Sequence, residues 1–412
     1  MNRAVALLLP LLPSLLWFAC AGTSDDAMDL AAADAAVNAD APACPGLPDV
    51  LPGASTTFTQ DLPGDSLCGL ELSGAAALPA GGWVLAGVAG QGDERRAALI
   101  EIDRQGQPGR SWVGGPAPTS LVANPVVLQD GSVAILCHGG TPGGAWLARV
   151  DLGAASGAAV SWSLEEPGIA GWSLLRSSKN ELWVAYTAAE ASTPPTPGTL
   201  RRYAPADGAT LGDVPLDPPS TGTGLVEDAS GNAVYAPRGA RAFDVRAIDP
   251  ANGAETWRHT EGGSAYVADL ARGVAGDVWA VGQIGGGAVE FLEWKVTRFA
   301  SDGTVSWTKE DLPQACHSIS AGFPGFFASA TFVVPAPDGG ALVGIRGEAD
   351  RESVPRTVRY DAAGTVLWQV AASPDVFARI AAGDHAVLFQ QSNDSSACFA
   401  TVRILEVPFD AP

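Results

Sequence analysis

The side chains whose types and spacing offer chemistry are few. Two of the four histidines follow a cysteine directly, as Cys137-His138 and Cys316-His317, while His259 and His385 stand apart. Zinc needs several such ligands converging on one point. Neighbours along a strand point to opposite faces, so each dipeptide offers at most one ligand to a shared site. These pairs therefore read as a buried cysteine beside a surface histidine, and no metal is predicted. Glu165-Glu166 and Glu310-Asp311 are acid pairs. Carboxylates cleave glycosides when held about 5 to 9.5 Å apart across the bond, but adjacent acids at strand ends read as solvated charge. The chain contains no His-Glu-x-x-His, Cys-x-x-Cys, Gly-x-Ser-x-Gly or Gly-x-x-x-x-Gly-Lys. No catalytic residue is assigned and no cofactor is predicted. Asn393-Asp394-Ser395 fits the glycosylation triplet and is read as coincidence.

Charge narrows the partners. Against 45 Asp+Glu stand 24 Lys+Arg, a formal charge of −21 over 412 residues, and no Lys or Arg falls between Arg3 and Arg95. Binding to nucleic acid requires clustered cations that displace phosphate counterions, and electrostatic docking on anionic lipid requires them too. Neither is expected. With 49 Gly and 31 Pro, long helices are disfavoured, because each interior Gly costs about 1 kcal/mol and each Pro about 3. A turn-rich all-β chain fits better.

Residues 1–20 read as a secretory signal: Arg3 is the basic head, and the stretch from Ala4 to Ala19 is apolar but broken by Pro10 and Pro13. It is shorter than the roughly 20 residues of a spanning helix. Cys20 after Ala19 resembles the lipobox of bacterial lipoproteins, with Trp17 where that motif usually has Leu; the resemblance implies lipid attachment at Cys20. The alternative is ordinary cleavage after Ala21. Residues 21–54 are mostly Ala, Asp, Pro and Gly, and such acidic, core-poor composition predicts a disordered linker.

From residue 55 onward the chain repeats itself about every fifty residues. One half of the unit is a turn and an apolar strand, as in LPAGGWVLAG from Leu78, LQDGSVAIL from Leu128 and APDGGALVGI from Ala336. The other half is a strand, an Asp/Gly turn and a strand ending in Trp, at Trp112, Trp162, Trp257, Trp307 and Trp368, with Val214 at the degenerate copy. Gly and Asp supply the turn conformations of short hairpins. Four short strands and their turns fill about fifty residues, which is one propeller blade. After Trp368 only three strands remain. TFTQDLP from Thr57 parallels SWTKEDLP from Ser306, so the early segment is expected to supply the missing strand, with Phe58 where other blades carry Trp. The expected fold is a seven-bladed β-propeller over residues 55–412, or eight-bladed if Cys316 to Phe332 hides further strands. Each Trp is read as packing between blades, where it buries about 150–250 Å².

The segment Ala247-Ile248-Asp249-Pro250-Ala251-Asn252-Gly253-Ala254-Glu255-Thr256-Trp257 resembles the Trp-docking repeat of quinoprotein (PQQ-like) β-propellers, with looser copies at Asp151/Gly157/Trp162 and Asp361/Gly364/Trp368. That family holds quinone-dependent dehydrogenases and non-enzymatic propellers, including a lipoprotein that assists outer-membrane protein assembly. The dehydrogenases' adjacent cysteines have no counterpart here. The resemblance implies architecture more firmly than activity.

The closure scheme sets the start of the Cys398 strand opposite the end of the Phe58 strand, and predicts a Cys68–Cys398 disulfide in an export context that permits one. Phe323, Phe326 and Phe327, set among Gly and Pro, form an apolar stretch that either covers a gap between blades or docks a partner. The sequence thus predicts an exported lipoprotein of the outer membrane or cell surface, otherwise periplasmic or secreted. It is expected to be a monomer that binds or scaffolds another envelope or extracellular protein. The alternative is a quinone- or metal-dependent oxidoreductase with its site at the channel mouth.

Overall fold

The computed structural model describes residues 51–410 apart from 62–68, 118, 122, 140–143, 155–156, 189–197, 218–219, 238–241, 263–264, 286–291, 311–327, 348–355, 372–375 and 394–398. The signal, most of the linker, Cys20, Cys44, Cys68, Cys316, Cys398, Phe323, Phe326 and Phe327 lie outside the described residues.

Among the described residues, twenty-nine strands form seven sheets. The first, β1 (Ala54–Asp61), belongs to the last sheet. Blade 1 is β2 (Glu71–Ala77), β3 (Trp83–Ala89), β4 (Arg96–Ile102) and β5 (Pro108–Gly114). In blade 2 the inner strand is split into β6 (Thr119–Leu121) and β7 (Val126–Val127), followed by β8 (Val133–Gly139), β9 (Gly144–Asp151) and β10 (Ala159–Pro167). Blade 3 is β11 (Ile169–Arg176), β12 (Leu182–Ala188), β13 (Gly198–Tyr203) and β14 (Thr210–Leu216). Blade 4 is β15 (Ser220–Glu227), β16 (Ala233–Pro237), β17 (Ala242–Ile248) and β18 (Glu255–Gly262). Blade 5 is β19 (Tyr266–Arg272), β20 (Val278–Gly285), β21 (Leu292–Phe299) and β22 (Val305–Glu310). Blade 6 is β23 (Ala328–Pro335), β24 (Ala341–Gly347), β25 (Arg356–Tyr360) and β26 (Val366–Val370). Blade 7 is β27 (Ala378–Ala382), β28 (His385–Asn393), β29 (Phe399–Pro408) and, outermost, β1.

Inner strands touch in cyclic order, β2 against β7, then β11, β15, β19, β23, β27 and β2 again. The fold is a closed seven-bladed β-propeller. Seven apolar clusters, one at each junction of adjacent blades, make its core. Strand sequences follow from this burial. The second strand of a blade is covered on both faces and reads as an unbroken apolar run, as in WVLAGVA of β3, buried throughout. The outermost strand alternates, as in ETWRHTEG of β18.

Closure is by β1, which pairs antiparallel with β29 along its whole length, Asp61 opposite Phe399. The expected strand is therefore present, but its proposed likeness to Trp is corrected. Trp307 faces Arg298, two residues before Ala300 in its turn, and Trp368 faces Arg359, two before Asp361. Phe58 faces Val402, seven before Phe409. The two segments match from the loop end of their strands, and blade 7 is the longer sheet, so the match does not carry to the turn end. At the degenerate copy, Gly212 faces Arg202 as Trp307 faces Arg298, while Val214 faces Leu200.

Candidate functional site

Blades 1 to 6 place their first and third turns at one end of the ring, with the first turn of blade 7, and the links between second and third strands, and to the next blade, lie at the other. The turn end is built alike from blade to blade. Asp103, Asp249 and Asp361 each accept backbone N–H groups from their own turn at 2.7–2.9 Å. A β-bulge just before Trp162, Trp257, Trp307 and Trp368 turns the indole towards the next blade. For Trp162, Trp257 and Trp307 the ring lies there on a turn glycine of positive φ. A Cβ on Gly364 would stand 2.7 Å from Trp307, and one on Gly208 3.0 Å from Trp162. Val214 occupies the corresponding place over Gly253.

An arginine works beside the indole. Arg149 and Trp162 both donate to the Pro205 carbonyl at 3.0 Å. Arg298 and Trp307 share the Ala362 carbonyl at 2.5 and 3.1 Å, and Arg359 and Trp368 share that of Phe409 at 3.2 Å each. An acid from the blade's first turn steadies each guanidinium: Asp130, Asp277 and Asp338 respectively. The sequence reading missed these arginines. Their signal is Arg placed shortly before the turn in LARVD, VTRFA and TVRYD.

Around the channel, the inner strands of blades 1, 3, 4, 5 and 6 are bulged at matching places. The bulge in β19 precedes Asp269, which is 4% exposed. Asp269 forms an ion pair with Arg379 of blade 7 and accepts the Val333 N–H of blade 6 at 2.9 Å, so one carboxylate joins three blades. Burial pushes its carboxyl above the usual range. Glu227, almost fully buried, likewise takes Ser178 of blade 3 and Arg272 of blade 5. Arg176 donates to the Val127 carbonyl of blade 2. Among the described residues, the inner-strand Arg176, Arg272 and Arg379 each contact a neighbouring blade.

The loop end differs from blade to blade. Between blades 4 and 5, Lys295 is wholly buried, held by Glu261 and Glu310 and lying 5.3 Å from the Phe243 ring. His259 Nε2 lies 2.8 Å from Glu261 and edge-on to Phe299. Burial alone would raise the Glu261 pKa, but Lys295 and His259 outweigh it and hold the carboxyl below the usual range. Between blades 2 and 3, Arg201 joins Glu166 to Asp213 and lies over Tyr186, whose hydroxyl pairs with that of Tyr203 at 2.8 Å. Burial pushes the Tyr186 phenol far up.

The acid pairs are hence divided. Glu166 serves Arg201 while Glu165 is exposed; Glu310 serves Lys295, and Asp311 lies outside the described residues. Cys137 faces the core between blades 1 and 2, and strand alternation sends His138 to the other side. His385 pairs with Asp384, and His317 lies outside the described residues. Among the described residues, no group of three or more His, Cys, Asp and Glu is placed to hold a metal, and no helix is long and apolar enough to cross a membrane.

No established protein family and no curated protein matches the chain. Among solved structures it is similar to Raptor from Chaetomium thermophilum, at 10% identity and TM-score 0.51 over 85% of this chain and 30% of that one. BamB from Moraxella catarrhalis gives 12% identity and TM-score 0.46 over 86% and 97%. A protein of unknown function from Bacteroides caccae gives 15% and 0.41 over 69% and 92%. At such identities likeness concerns the fold alone, and of these three the Raptor superposition is the one close enough to speak to it.

Proposed function

We propose that this chain is an exported, lipid-anchored propeller with PQQ-like repeats, which binds or scaffolds another protein of a bacterial envelope through its loop end. The observation that carries the reading is the contrast between the two ends. At the turn end, polar side chains are consumed in ties repeated from blade to blade. At the loop end, Glu165 is exposed, Asp213, Glu261 and Glu310 are 38–42% exposed, and the strands joined there are separated by the longest stretches of sequence, among them 311–327, which includes Phe323, Phe326 and Phe327. Loops on a rigid scaffold are the usual seat of recognition, and half-exposed carboxylates beside aromatic rings suit a partner that is basic and partly apolar.

The test is capture from envelope extracts with wild type and with the Phe323→Ser/Phe326→Ser/Phe327→Ser variant. One partner retained by wild type and lost by the variant at unchanged melting temperature supports the proposal. Equal capture by both, or saturable turnover of a quinone, sugar or ester, overturns it. Cys20→Ala should move the protein from the membrane to the soluble fraction. The Asp61–Phe399 pairing supports the proposed Cys68–Cys398 bond, which non-reducing peptide mapping tests; finding both thiols free removes it.

A further inference from the structure

At one junction the tryptophan of the preceding blade does not lie on the turn glycine. Gly157, in the turn between β9 and β10, belongs with Gly208, Gly253, Gly303 and Gly364: φ is +96°, and its N–H returns to a carbonyl of its own turn, that of Ala154, at 2.9 Å. At the other four, the preceding blade lays Trp or Val on the glycine. Among the described residues, nothing lies within 4 Å of where a Cβ of Gly157 would stand. Trp112, which should fill the place, instead stacks on Trp146 with ring centres 6.3 Å apart and planes 9° from parallel.

The sequence explains the vacancy. Gly157 comes eight residues after Arg149, whereas Gly303 and Gly364 come five after Arg298 and Arg359, and Gly208 six after Arg202. The longer turn carries the glycine out of reach. Trp146 also stands where blade 5 has Lys295, three residues before the arginine that faces the next blade, and offers Trp112 an aromatic face. What remains is an open cleft of about 300 Å³ lined by Arg110, Ser111, Leu152, Gly153, Ala154 and Ala158 along with Gly157. It opens off the core between blades 1 and 2, which Ala158 and Trp112 both touch.

We propose that this cleft binds a tryptophan side chain presented by a partner protein. The chain itself shows what such a dock takes: at three other junctions an indole covers the turn glycine, and in two of these its N–H reaches a backbone carbonyl of the same turn. The vacant dock keeps the glycine and offers apolar walls in Leu152, Ala154 and Ala158. The Arg110 guanidinium, 56% exposed and fixed on Glu101 at 2.6 and 2.7 Å, flanks it as a flat cationic edge suited to an aromatic face. Because the site is at the turn end, it stands apart from the loop-end reading above, and either can fail without the other.

The experiment titrates the full chain into 5-fluoroindole and follows the ¹⁹F line width, with N-acetyltryptophanamide as competitor. Saturable broadening of the order of 1 mM, as expected for a single side chain, removed by the competitor and weakened at least tenfold in Ala154→Phe, supports the site. A second variant, deleting Ala155 and Ser156, should bring Gly157 back under Trp112, abolish probe binding and raise the melting temperature. No broadening in wild type overturns the proposal, as does binding undiminished in both variants. Binding that appears only in Trp112→Ala would show that Trp112 occupies the dock itself, and overturns it too.

Discussion

Blades 6 and 7 solve one problem in different ways. Blade 6 is a continuous stretch of chain, and its turn at Asp361–Thr365 offers the Ala362 carbonyl to Arg298 and Trp307 of blade 5. Blade 7 has no such turn, because its third and fourth strands are far apart in sequence. In its place the backbone just after β29 turns back, Phe409 N–H donating to Asp384 at 2.9 Å and its carbonyl receiving Arg359 and Trp368. The dock therefore does not require the hairpin. Here a carbonyl and an apolar anchor beneath serve in its place, both supplied by Phe409, which is 2% exposed. The cost is that blade 7 depends on pairing where blade 6 has covalent continuity.

Removing Ala54–Asp61 should have the largest effect, exposing the edge of β29 along its length. Loss of cooperative thermal unfolding, with recovery on adding the peptide ASTTFTQD, is the expected outcome; unaltered melting would mean that the ring holds on six blades and a partial seventh. Phe409→Ala comes next, lowering stability in urea titrations by about 3–5 kcal/mol as for other buried aromatics. Trp307→Phe and Trp368→Phe each lose the indole N–H bond while keeping a ring, and should each cost about 1 kcal/mol. Equal losses would make the two docks equivalent; a much greater loss at Trp368 would show that blade 7 leans on its dock more heavily. Asp338→Asn is the smallest and depends on pH. Burial opposes its ionisation, but Arg359 and the Gly340 N–H hold the carboxyl below its usual 3.8. A carboxylate depressed in the fold stabilises above its ordinary pKa and loses that contribution as pH falls through the lowered value. Being 46% exposed, it should contribute under about 1 kcal/mol, and the gap between wild type and variant should close from pH 5 to pH 3.

The architecture was legible because each blade repeats the same local signals. Gly-Asp turns, an apolar second strand and a terminal Trp recur where every blade must solve the same packing, and the count of strands after Trp368 demanded β1. Register was less legible. TFTQDLP and SWTKEDLP agree as text, yet Phe58 pairs with Val402, seven residues before Phe409, since which residues pair depends on sheet length as well as on sequence. Lys295 escaped notice because lysine usually signals solvent. Its burial depends on Glu261, 34 positions away, and on Glu310. The open turn at Gly157 was hidden for a related reason: three extra residues in a turn look harmless until neighbouring indoles show what lies on its counterparts.

The direction of β1 has a mechanical consequence. Ala54 lies beside Glu406, and Asp61 beside Phe399, so the segments preceding β1 and following β29 leave from the same end of the pair. Tension between them would load the hydrogen bonds one at a time, as in opening a zip, whereas a parallel arrangement would strain them all at once. Under such a pull the ring would give way first at the β1–β29 seam, at low force, leaving six blades to recoil.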